Sequence, residues 1–109
     1  MNMAITELNN QQSSMNIHPG ELLRDEIESR GVSQRELAKS MGVSCSLISE
    51  IVNAKRAINT EYALLLEAAL GTPAYIWIRL QEEYDLREKR SNPTFLQRLA
   101  SVRRVAVVL

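Results

Sequence analysis

The residues whose types and spacing best suit a defined chemistry are Ser44, Cys45, Ser46 and Ser49, in the stretch "GVSCSLISEIVNAKR" over residues 42–56. Short hydroxyl and thiol side chains at the start of a helix can reach base edges in a DNA major groove and touch thymine methyl groups. Each discriminates less sharply than a bidentate Arg–guanine pair. A duplex reader also needs a clamp on the flanking phosphates, which carries no sequence information but sets the register. Gln34, Arg35, Lys55 and Arg56 supply polar and basic side chains for one. Backbone N–H groups at two helix starts add anion sites that formal charge does not count. Glu50 is the discordant residue, because it must accept from a cytosine amine or turn away from phosphate.

These side chains need elements to hold them, and the spacing predicts five helices. "HPGELLRDEIESRG" opens with Pro19 at a first helical position, where its missing N–H costs nothing. Leu22, Leu23 and Ile27 form its apolar stripe, and Gly31 stops it. In "VSQRELAKSMG", Ser33 and Glu36 have the spacing of a capping box. Only Gly42, Val43 and Ser44 separate this helix from the next, the short Gly-containing turn of a helix-turn-helix. Ser44 caps the third helix, whose apolar positions are Leu47, Ile48, Ile51 and Val52. Asn59 caps a fourth, closed by Gly71, and Thr72 and Pro73 open a fifth with Trp77, Leu80, Gln81 and Tyr84 on one side. Residues 93–106 keep helical spacing, whereas the final VAVVL suits a helix or a strand and needs a partner surface.

The bulk properties narrow the choice. A chain of 109 residues suits one domain with extensions: an arm over residues 1–16 read as flexible, a domain over 17–90, and a C-terminal segment over 91–109 available for dimer or partner contact. The 13 basic and 13 acidic residues cancel, which argues mildly against a polyanion, yet the charges are segregated. Acids crowd residues 81–88, and none follows Glu88. The lone Cys45 excludes an intramolecular disulfide and a multi-cysteine metal site, and fits a reducing cytosol. A redox role for that thiol is the lesser reading beside a plain groove-facing one. The N-terminus has neither the basic start nor the apolar stretch of an export signal, so a cytoplasmic protein without membrane contact is expected. The only histidine, His18, has no clustered partners and reads as a helix-start residue. With no phosphate loop and no paired acids, the expectation is a non-enzyme with no cofactor, metal or catalytic residue.

The combination of "HPGELL", "GVSQRELAKSMGVSCSLISEIVNAKR" and "TEYALLLEAALGTPAYIWIRLQEEYDL" resembles the HigA antitoxins of the XRE (lambda-repressor-like) helix-turn-helix superfamily, over about residues 18–86. The resemblance implies an all-α, lambda-repressor-like five-helix domain and a homodimer on a palindromic operator in double-stranded DNA. It also implies repression of the protein's own operon and neutralisation of a HigB-type toxin, an mRNA ribonuclease. On matching positions, Gln34 takes the phosphate contact, Ser44, Cys45, Ser46 and Ser49 the base-facing edge, and Asn53, Lys55 and Arg56 the backbone-contacting loop. Ala54 stands where the family commonly has Gly, so a left-handed residue there is strained unless the loop differs. Two alternatives stay open: a free-standing, prophage-like repressor without a toxin, and an interaction module on the same fold that does not bind DNA.

Overall fold

The computed structural model describes residues 16–109, and among them it has six α-helices and no strand. In chain order these are α1 (Pro19–Ser29), α2 (Gln34–Met41), α3 (Cys45–Val52), α4 (Thr60–Leu70), α5 (Ala74–Arg90) and α6 (Pro93–Ala106). The fold class is the expected all-α one, with one helix more than the five predicted. The valine-rich end forms no strand: Val105 and Ala106 complete α6, and a turn follows. The arm assigned to residues 1–16 lies outside the described residues, apart from Asn16. That residue is tied to α5, its Nδ2 donating to the Tyr84 carbonyl at 3.3 Å and to Glu88 Oε1 at 2.7 Å.

Each helix start needs acceptors for backbone N–H groups that have no partner within the helix. His18, Ser33, Ser44, Asn59 and Asn92 provide them with their own side chains for α1, α2, α3, α4 and α6. Of the capping box expected at α2, the Ser33 half forms, accepting from Glu36 N–H at 3.0 Å. Among the described residues, Glu36 makes no return bond. The start of α5 has no side-chain cap of its own: Pro73 precedes it without an acceptor, and Glu67 of α4 accepts from Ala74 N–H at 2.7 Å instead.

Leu23 and Ile27 of α1, Leu37 of α2, Ile48 and Ile51 of α3, Leu66 of α4 and Trp77 of α5 form one buried core. α1 packs on α3 and α5, α2 on α3 and α4, and α4 on α5. α3 is thus held from two sides. α1 approaches it closely: a Cβ built on Gly20 would lie 1.8 Å from the Ile51 carbonyl oxygen. Gly20 is required here by space rather than by its dihedral angles, and this gives "HPGE" a physical reason. α6 is different. It packs on α5, yet none of its residues is buried. The radius of gyration, 17.6 Å, exceeds the roughly 13 Å of a compact chain of this length, as a diverging final helix requires.

Two stability predictions follow from the start of α1. Gly20→Ala forces α1 off α3 and should cost on the order of 1–3 kcal/mol in urea unfolding. For His18, Nδ1 accepts from Gly20 N–H at 2.9 Å, so the cap needs that nitrogen unprotonated. The ring is buried edge-on to Tyr84, with centroids 4.7 Å apart. Burial pushes its pKa below the ordinary 6.5, against the opposing pull of Asp85 and Glu21. Between the folded value and 6.5 the unfolded chain therefore binds more protons. This contribution to stability should be intact above about pH 6.5, fall as the pH drops below it, and level off once the folded imidazole protonates. His18→Asn keeps a capping side chain and should flatten that segment of the stability–pH curve.

Candidate nucleic-acid interface

The turn between α2 and α3 is built by the backbone. Gly42 adopts φ 68°, its N–H donates to the Lys39 carbonyl at 3.3 Å, and Val43 N–H donates to the Ala38 carbonyl at 3.0 Å. This paired arrangement satisfies the last carbonyls of α2 and reverses the chain within three residues. Val43 then packs against the core, and Ser44 starts α3 by accepting from Leu47 N–H at 3.1 Å. Inside α3, Ile48 and Ile51 are fully buried and Val52 nearly so. That burial leaves Cys45 and Ser46 exposed on the outer face and Ser49 and Glu50 half-buried at its edge.

The residues expected to face bases therefore share one helix, but they are not equivalent. The Ser44 hydroxyl oxygen is committed to its cap, leaving its O–H to donate. Ser49 accepts twice from Asn53 Nδ2, through its carbonyl at 2.8 Å and its hydroxyl at 3.3 Å. Asn53 Oδ1 in turn accepts from Arg24 Nη2 of α1 at 3.1 Å. Arg24 was not anticipated. It brings a cation to the carboxyl end of α3, where the helix dipole favours one. Nothing local marks it in the sequence, because its partner lies 29 residues away.

The loop after α3 repeats the geometry of the preceding turn. Ala54 sits at φ 61°, with Ala54 N–H donating to the Ile51 carbonyl at 3.0 Å and Lys55 N–H to the Glu50 carbonyl at 2.8 Å. The left-handed cap therefore forms with alanine in a glycine position. The strain of about 1–2 kcal/mol is set against two bonds to otherwise unpaired carbonyls. Farther along, Ile58 N–H donates to Gln81 Oε1 at 2.8 Å, and Gln81 Nε2 donates to Asp85 Oδ1 at 3.0 Å. Gln81 is buried, so a polar side chain at a core position of α5 fastens the loop that carries Lys55 and Arg56. The sequence placed Gln81 on the same side of its helix as Trp77 but gave no role for it.

The electrostatics resolve the discord over Glu50. Its Oε2 accepts from Arg56 Nε at 2.6 Å, and this pairing pushes the Arg56 pKa further up. Glu50 is thus turned toward a cation of the expected clamp. Lys55 is exposed beside it, Arg35 is exposed in the first turn of α2, and Gln34 is half-buried at the first position of that helix. Cys45 is a free, exposed thiol. Among the described residues no group of three or more metal-ligating side chains assembles, and no helix is long and apolar enough to cross a membrane.

Two short helices crossing at a glycine turn, the second held by its inner face and polar on its outer one, define a helix-turn-helix protein. The helix-turn-helix family model matches residues 23–77, from the core of α1 to Trp77. Virulence-associated protein I of Dichelobacter nodosus is 44% identical over 72 residues, which are 65% of this chain and 67% of that protein. Antitoxin HigA-1 of Vibrio cholerae is 33% identical over 73 residues, 66% of this chain and 69% of that one. Among solved structures, antitoxin HigA of Pseudomonas aeruginosa with the higBA promoter aligns with a TM-score of 0.64 and 38% identity, covering 66% of this chain and 79% of that one. The chain belongs to the XRE-type helix-turn-helix family and is HigA-like within it. Other relatives are named as a helix-turn-helix transcriptional regulator and as antitoxins.

The strained loop can be tested without any partner. Ala54→Gly relieves the left-handed strain but loosens the unfolded chain by about 0.4–1 kcal/mol, so a net gain of up to about 1 kcal/mol in unfolding free energy is expected. Ala54→Val, β-branched at the same φ, should lose stability in the same denaturation assay.

Proposed function

We propose that this protein is the DNA-binding antitoxin of a type II toxin–antitoxin pair. In this reading it works in the cytoplasm as a homodimer on a palindromic operator, represses its own operon by occluding the promoter, and neutralises a HigB-type mRNA ribonuclease. The observation that carries the DNA half is the outer face of α3, small and polar, on a helix whose inner face is locked into the core. A helix so held can enter a major groove with little rearrangement. Two copies would place their α3 helices in successive grooves, about 34 Å apart. The HigA of Pseudomonas aeruginosa, solved with a promoter, supports the same reading.

Within it, Cys45, Ser46 and Ser49 read base edges, with Ser44 contributing its O–H. Gln34, Arg35, Lys55 and Arg56 contact phosphate, and Asn53 contributes from the end of α3. Arg24 joins the phosphate set through its place beside Asn53. The HigB-type partner rests on likeness to named antitoxins. A free-standing repressor would show the DNA behaviour alone.

Titration against the protein's own promoter fragment should show log K falling with log salt at about −0.9 per phosphate neutralised. Lys55→Ala or Arg56→Ala should weaken binding to every sequence alike and reduce that slope by roughly one unit. Ser46→Ala and Ser49→Ala should leave the slope unchanged and alter which operator variants are preferred. A flat salt response would overturn DNA binding, and unchanged operator preference in both serine variants would overturn the reading face. Co-purification with a HigB-type ribonuclease, and loss of its mRNA cleavage on mixing, tests the toxin half separately.

A further inference from the structure

The α6 helix has fourteen residues and none of them is buried. An isolated helix of that length is marginal in water, so its order implies a covering surface that the single chain does not supply. Phe95 and Leu99 are half-buried near the α5–α6 turn, but beyond them Val102 is 56%, Val105 66% and Leu109 fully exposed. Val102, Val105, Ala106 and Leu109, flanked by Arg98, line one shallow apolar groove. A second lies on α5, where Leu86, itself 51% exposed, is bordered by Glu82, Asp85 and Lys89. The charges around the two grooves are opposite. No acid follows Glu88, and Arg98, Arg103 and Arg104 lie on α6, whereas residues 81–88 carry four acids and a single base.

We infer that α6 is an exchanged arm: in a dimer its apolar face lies on the Leu86 groove of α5 in a second copy, with its arginines against that copy's Glu82 and Asp85. The occupant is a second copy because this chain carries both grooves and both charge signs. The contact is reciprocal, as a two-fold dimer requires. At 1.5 Å per residue, α6 is about 21 Å long, enough to span several turns of the facing α5. This surface rests on the homodimer reading above and specifies where that dimer forms.

The test is sedimentation of the full chain and of two charge-reversed variants. The first, Glu82→Lys/Asp85→Lys, has a basic α5 and a basic α6. The second, Arg98→Glu/Arg103→Glu, keeps the net acidic Glu82/Asp85 groove of α5 and has a net acidic α6. All four substituted positions are exposed, but Asp85 also accepts from buried Gln81, so Asp85→Asn, which keeps an acceptor oxygen, is the control for that bond. Circular dichroism should show the wild-type helix content in each variant. The wild type should be dimeric. Each variant alone should dissociate at least roughly tenfold more readily, a change equivalent to about 1.4 kcal/mol, and their mixture should regain a dimer, because both contacts then pair opposite charges. Val102→Glu should also weaken the dimer. A wild-type dimer with either variant still dimeric alone overturns the exchanged arm and leaves the homodimer standing. That includes α6 pairing with α6, in which the first variant keeps its interface. A wild type that stays monomeric overturns both.

Discussion

The contact on which the site depends is the approach of α1 to α3 at Gly20. The Ile51 carbonyl sits where any side chain at residue 20 would begin. The same carbonyl accepts Ala54 N–H in the cap that ends α3. One point therefore sets how near the two helices lie and where the loop bearing Lys55 and Arg56 departs. The elements around it reinforce the placement. His18 starts α1 so that Pro19 and Gly20 arrive in register, and Arg24, one turn beyond Gly20, reaches the Val52 carbonyl and Asn53. A helix packed this closely on one side and buried on its inner face has little freedom to roll. Its outer residues keep a defined direction even though the helix is only eight residues long.

One polar group inside the fold, Gln81, follows the same logic, whereas the buried Trp77 Nε1 has no partner among the described residues. A buried amide costs stability unless its hydrogen bonds are made, and Gln81 makes both of its recorded ones, to Ile58 N–H and to Asp85. Trp77, one turn earlier and fully buried, seats α5 against the core. The pair connects the core to a surface loop: the tryptophan fixes the height of α5, and the glutamine fixes the chain after α3 to it. The left-handed Ala54 becomes tolerable in this setting, because the loop is held at both ends, by the α3 cap and by Gln81.

Local rules in the sequence carried much of this. Ser33, Ser44, Asn59, Pro19 and Gly42 marked helix starts and stops through chemistry that acts within four residues, and the apolar stripes gave the inward faces of α1 and α3. The departures came where the partner is distant in sequence. The acceptor for the start of α5 is Glu67, in the preceding helix. The cation at the end of α3 is Arg24, from α1. No periodicity encodes such pairings. Ala54 shows a different limit: a preference for glycine read as a rule proved to be an energy term of a size that two backbone bonds can offset. α6 shows a third, since its spacing is legible but no pattern within the helix marks the surface proposed to cover it.

The neutrality of the chain bears on the interface less than its sum suggests. Long-range attraction to a polyanion depends on net charge, but contact with a phosphate depends on what lies within about a Debye length, roughly 8–10 Å. In that range Glu50 is occupied by Arg56, so a cation and an acid meet side by side rather than as two free charges. The short bond to Glu50 uses Nε of Arg56, so the outer nitrogens of the guanidinium can turn toward an anion. A clamp assembled this way has little general pull on DNA and answers mainly to a phosphate in the right place. In the proposed function, small hydroxyls on α3 that discriminate weakly one by one suit such a clamp, because selectivity would then come from geometry: the fixed direction of α3 in one copy and its spacing from α3 in the other.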